Sequence, residues 1–210
     1  MSPSAAISSQ DPAHTMQCME VWGGNAASEN TVAMPGLDAW VYSRPYQGDS
    51  GGGDVHYVSS CATGRITRLL LADVSGHGQG VAPIAVTLRN LMRRYINFVD
   101  QSRLVRSMNE EFTNLAEMGT FATAVVATYW APTSFLVTCN AGHPRPLLYR
   151  AATKTWELLI APPPKPAPAS RSLTDPPPEA PNALVNLPLG IADLTGYDQF
   201  GVKLQTGDLV

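Results

Sequence analysis

Residues 68–83, RLLLADVSGHGQGVAP, constrain the fold more than any other stretch of the chain. The aliphatic run that ends at Asp73 reads as a strand, apolar enough to be covered on both faces. Gly76, Gly78 and Gly80 then alternate with other residues, which lets the backbone turn sharply and approach a neighbour closely. Beyond them Val81, Ile84, Ala85, Leu88, Leu91, Met92, Tyr95, Phe98 and Val99 recur at spacings of three and four, the mark of one apolar helix face. Pro83 fits the first turn of that helix, where an amide needs no helical partner. Arg89, Arg93 and Arg94 on the same helix read as a solvated basic face.

The rest of the chain sorts into blocks. Residues 1–35 are rich in Ser, Ala, Asn and Gly with little periodicity, and are expected to form a flexible tail. DVHYVSS, TFATAVVATYW, SFLVTCNA and PLLYR carry the β-branched and aromatic residues of strands. A second helix is expected over 101–117, with Leu104, Met108, Phe112 and Leu115 as its stripe. Strands, then two helices, then strands is a segregated order. It predicts an α+β layered sandwich on antiparallel sheets and excludes a doubly wound fold. Residues 161–181 hold a proline-rich insertion, expected to be extended and on the surface.

Composition narrows the function classes. With 44% apolar and 15% charged residues the chain is globular, and a net charge of −3 gives no reason to expect nucleic acid or an anionic membrane. Cys18, Cys61 and Cys139 are odd in number and never form C-x-x-C, which argues against a disulfide framework or a zinc ribbon. The N-terminus lacks a basic start followed by an apolar core, and no run reaches the length of a bilayer span. A cytoplasmic location is the expectation.

A carboxylate at the end of a buried strand needs a compensating charge. A phosphate loop is excluded, because no Lys follows the glycines and G-x-G-x-x-G fails at Val81. A hard divalent cation fits better, held by Asp73 and the backbone carbonyl of Val74. The competing role for Asp73 is to cap the next helix, and Asp54 after its glycine triplet is equally well read as a turn residue.

GGGDVHYV, LLLADVSGHGQGVAP, GTFATAVVATYW, CNAGHPRPLLY and LPLGI, in this order, resemble the metal-dependent serine/threonine protein phosphatases of PPM type, in particular their SpoIIE-like bacterial branch. The resemblance implies an αββα four-layer sandwich over residues 36–210, two antiparallel sheets flanked by helices. It implies two Mn or Mg ions, with Asp73 bridging them, Val74 lending its carbonyl oxygen and Asp54 acting through water. It further implies hydrolysis of phosphoserine or phosphothreonine on a regulatory protein of the anti-sigma-factor antagonist type, by a two-metal-activated water and with no covalent phosphoenzyme.

His77 is a candidate proton donor to the leaving oxygen, although the family's corresponding His lies closer to the aspartate, and a loop-ordering hydrogen bond is the simpler role. The simpler reading also holds for His143, in the turn NAGHPRP, and Arg44 reads as an edge residue at a place where a phosphate-binding Arg would sit. The family's remaining metal aspartates would follow Val210, so the domain is expected to be incomplete at that end. The alternative function is a phosphatase-like module that binds a partner without catalysis.

Overall fold

A computed structural model describes residues 13–77, 80–115, 119–162 and 185–210. The elements run β1 (His14–Thr15), β2 (Val21–Gly24), β3 (Ser28–Met34), β4 (Leu37–Ser43), β5 (Asp54–Cys61), β6 (Ile66–Val74), α1 (Ala82–Tyr95), α2 (Gln101–Leu115), β7 (Ala122–Trp130), β8 (Phe135–Ala141), β9 (Leu147–Arg150), β10 (Thr155–Leu158) and β11 (Gln199–Lys203). Six of the strands form one antiparallel sheet in the order β11-β8-β7-β6-β5-β2.

Two-residue alternation assigns each face of this sheet. Leu70, Ala72 and Val74 of β6, with Ala122, Ala124 and Val126 of β7, turn toward the helices and are buried. Leu88, Met92, Leu104, Met108 and Phe112 meet them from α1 and α2, each almost fully inaccessible to water. The helices thus cover one face only. On the other face Val58 and Leu69 pack under β3 and β4, and Ala127, Tyr129 and Leu136 pack under β9. The architecture is the expected α+β sandwich of antiparallel sheets, with one exception: β1 pairs with β3 in parallel.

Two expectations need correction. Residues 14–34 are not a flexible tail but carry β1, β2 and β3, because Met16, Val32 and Met34 bury themselves against Val58 and β2 pairs with the edge of β5. The β6 strand is not covered on both faces: Leu71 is 50% exposed and Asp73 is open to solvent, since that end of the face lies outside the two smaller clusters. Of the proline-rich insertion, residues 163–181 lie outside the described residues.

Helix ends follow local chemistry. Asp100 caps α2, its carboxylate accepting from the Arg103 amide at 3.0 Å. Arg94 ion-pairs with Glu111 and so ties α1 to α2. Asn109, fully buried on α2, donates to the Ala192 carbonyl and accepts from the Gly190 amide, both at 2.9 Å. Leu189 exchanges both backbone hydrogen bonds with Ala122. These contacts dock the LPLGI segment on β7, beside the loop that follows β8.

At the far end Asp208 accepts from Arg150, the Ala151 amide and the Gln205 amide, each at 3.0 Å, so its carboxylate is fully engaged in pinning the last turn to β9. Among the described residues no helix is long and apolar enough to cross a membrane.

Candidate metal centre

Asp54 opens β5 and Asp73 lies one residue from the end of β6, and the register makes them direct cross-strand partners. Opposed residues of an antiparallel pair project to the same face, and two like charges so placed repel each other. The Asp73 carboxyl is accordingly held above the ordinary carboxylate range, first by partial burial and then by the Asp54 charge, with His143 pulling the other way. Asp73 does not cap a helix: α1 begins at Ala82 with Val81 in the cap position.

Gly53 shapes the floor beside this pair. Its carbonyl accepts from the Val74 amide at 3.2 Å, and a Cβ on Gly53 would stand 2.9 Å from the Val74 oxygen and 3.6 Å from Asp73 Oδ1. The missing side chain leaves a cradle next to one carbonyl oxygen and one carboxylate oxygen. Two facing carboxylates and an adjacent carbonyl suit a hard divalent cation, which takes oxygen donors and relieves the repulsion. Among the described residues no cluster of three or more His, Cys, Asp or Glu forms a fuller metal cage. Gly53→Ala is expected to cost about 1–3 kcal/mol through overpacking and to weaken Mn binding. Thermal melting and calorimetric titration with Mn measure the two effects.

The pair opens into a cleft of about 100 Å³ that also receives Arg44, Tyr46 and His77. The Tyr46 and His77 rings lie 5.1 Å apart at a tilt of 50°, forming one wall of its mouth. Asn25 braces the opposite side, donating through Nδ2 to the carbonyls of Gly52 at 3.0 Å and Ala82 at 3.1 Å. Through it the glycine triplet is tied to the start of α1. A larger recess, about 270 Å³, lies between β9, β10 and β11; its charged liners, Arg150 and Glu157, neutralise each other at 3.0 Å, leaving an apolar hollow without reactive groups.

Sequence reasoning placed Asp54, Asp73 and the Val74 carbonyl together, and the structure brings them together. It also brings Arg44 into the cleft. Asn25 was assigned to a tail, and the sequence carries no local signal for it. His143 makes the turn-ordering hydrogen bond expected of it. Its Nδ1 is 2.8 Å from Thr123 Oγ1, and Thr123 is the cross-strand partner of Asp73 on β7. Asn140 clamps the turn by accepting from the His143 amide at 2.8 Å and donating to its carbonyl at 2.9 Å. Burial lowers the His143 pKa, while Asp73 and Asp54 oppose that shift, so the ring sits in the field of the acidic pair. Gly142 permits this approach: its φ is +66°, and a Cβ there would fall 2.5 Å from Pro188 of the docked LPLGI segment.

Residues 63–165 match the family described as Stage II sporulation protein E. No curated protein matches the chain. Among solved structures it is similar to the RsbU and RsbW domains of a Mycobacterium tuberculosis protein, at 19% identity and a TM-score of 0.58 over 93% of this chain and 44% of that one. It is also similar to RsbX in complex with magnesium, at 16% identity and a TM-score of 0.56 over 90% of this chain and 75% of that one. A third relative is the phosphatase domain, with a fragment of the regulatory domain, of the cell-fate determinant SpoIIE from Bacillus subtilis, at 14% identity and a TM-score of 0.52 over 92% of this chain and 45% of that one. The chain therefore spans less than half the length of the first and third of these, and at such identities they speak to fold alone. The SpoIIE match thus runs from the turn before β6 past the end of β10, about half of the chain, on a fold that this chain shares with these PPM-type phosphatase structures.

Proposed function

We propose that this chain is a Mn- or Mg-dependent protein phosphatase that hydrolyses phosphoserine or phosphothreonine on a regulatory protein of the anti-sigma-factor antagonist type. The observation that carries the reading is the Asp54–Asp73 pair, held face to face at a cleft that also contains a cation, Arg44. Divalent cations at such a pair supply Lewis acidity and lower the pKa of water enough to give a nucleophile at neutral pH.

Each neighbouring residue has a separate task. Asp73 and the Val74 carbonyl would hold the cation directly, and Asp54 would hold it through water. Arg44 presents a planar fork of donors that matches phosphoryl oxygens. His77, exposed at the mouth against Tyr46, would pass a proton to the leaving serine oxygen. His143 spends Nδ1 on Thr123, which fixes its ring and leaves Nε2 as the nitrogen available for exchange.

The alternative is a phosphatase-like module that binds the same partner without catalysis. It is favoured by one observation: among the described residues only two carboxylates meet at the cleft. Phosphate release from a phosphoserine peptide separates the two. Turnover that requires added Mn or Mg and stops with a chelator supports the enzyme. Metal-independent turnover removes the role of the acidic pair, and absence of turnover with peptide binding retained supports the module.

A further inference from the structure

The basic face of α1 does not behave as one solvated patch. Arg94 is used in the pair with Glu111. Arg89 and Arg93, one turn apart on the helix that packs on β5 and β6, instead act with Arg68 on Tyr57, which lies opposite Leu70 on the same helix-facing side of the sheet as Arg68. Arg68 is only 4% exposed and spends one donor, Nη1, on Thr128 Oγ1 at 2.7 Å. Its Nε and the Nε of Arg89 are shielded from water and have no hydrogen-bond partner, and the hydroxyl of the buried Tyr57 is shielded beside Ser59. Among the described residues none of the three guanidiniums is ion-paired.

That arrangement is costly as it stands. Like charges four apart on a helix repel, and a buried guanidinium with an idle donor lacks the pairing that normally permits its burial. A single carboxylate would leave most of this charge unmatched. A phosphate group carries roughly −1.5 to −2 charges and three strong acceptor oxygens, and guanidinium forks bind it in bidentate fashion. We propose that Arg68, Arg89, Arg93 and the Tyr57 hydroxyl form a second anion site, on the helix-facing side of the main sheet, that takes a phosphate group.

This site is separate from the acidic cleft. Arg68 lies on the face of β6 that carries Leu70 and Ala72, whereas Asp73 lies on the opposite face with Leu71. Along the strand the two residues are about 17 Å apart at the usual rise per residue. Occupancy of the one site therefore does not require the other to hold metal.

The test uses the full chain with a chelator present and inorganic phosphate as the probe, at constant ionic strength. Calorimetry should show saturable binding, weakened about tenfold or more in Arg89→Gln/Arg93→Gln, as expected when charge-assisted hydrogen bonds are removed. Asp73→Asn should bind phosphate as the wild type does. Arg93→Gln alone, at an exposed position, should also weaken binding and remains informative if variants deeper in the core misfold. A phosphoserine peptide as the second titrant distinguishes the sources: tighter, arginine-dependent binding of the peptide assigns the site to a phosphoprotein, and preference for inorganic phosphate assigns it to the free ion. Absence of saturable phosphate binding, wild-type affinity in the double variant, or loss of binding in Asp73→Asn would overturn the proposal.

Discussion

Asp73→Asn is expected to lower phosphopeptide hydrolysis by more than about 100-fold, since loss of outer-shell partners alone costs 10–100-fold at metal sites. The metal-free protein should melt at the same temperature or slightly higher. The reason is the cross-strand pairing with Asp54: in the absence of metal, an ionised Asp73 faces a second carboxylate and gains nothing from it. The sign of the pH dependence follows. The folded-state pKa of Asp73 is raised above its ordinary 3.8, so its contribution to stability is complete below that value and is lost as pH rises through the raised one.

Thermal melts of metal-free wild type and Asp73→Asn should therefore coincide in acid and diverge as pH rises, with the variant higher. Mn affinity runs the opposite way and falls as pH drops through the same range, because protons compete for the carboxylate. Wild-type turnover in Asp73→Asn would remove Asp73 from the mechanism, and a large drop in its melting temperature would make the residue structural.

Phe112→Ala is expected to cost about 3–5 kcal/mol, the range for deleting a buried aromatic ring. For a domain of this size that corresponds to a fall of roughly 10 °C or more in melting temperature. Phe112 is fully buried, and its ring carbons lie 3.0 and 3.1 Å from where a Cβ on Gly190 would stand. Removing the ring empties the space between α2 and the docked LPLGI segment, and Asn109 holds that segment in place, so the cavity cannot close by sliding. Chemical denaturation of the metal-free chain measures the loss; a cost below 1 kcal/mol would mean that the segment is not part of the cooperative core. The same segment carries Pro188 against Gly142, so this variant should also loosen the His143 turn.

Much of this was readable in the chain. The three-and-four spacing from Val81 to Val99 and the stripe through Leu104, Met108, Phe112 and Leu115 predicted both helices, because a helix that covers a sheet must keep one face apolar; α1 however ends at Tyr95, and Val99 and Leu115 at the ends of the two patterns are exposed. Asp73 stood out because a carboxylate at the end of an apolar strand, followed by glycines, has few uses apart from holding a charge. Asp54 came from the resemblance, and only the antiparallel register of β5 with β6 shows that the two acids face each other.

Other features were hidden for identifiable reasons. Residues 14–34 look like a tail because β1 and β2 are short and β2 ends in two glycines, and they are strands because β5 and β3 offer edges to pair with. His143 reads as a turn residue, and only the fold shows that its partner is Thr123, a neighbour twenty positions away across the sheet. Arg89, Arg93 and Arg94 look alike as letters, yet one pairs with Glu111 while the charges of the other two bear on the buried Tyr57.

The sequence by itself determined the periodic elements, the segregated α+β order and the identity of one acid, all properties of residues near one another in the chain. The tertiary structure alone decided which charges meet. Whether a carboxylate or a guanidinium is relieved or left unbalanced depends on the register of neighbouring strands and on which helix face lies above them, and those distances are set only when the layers pack.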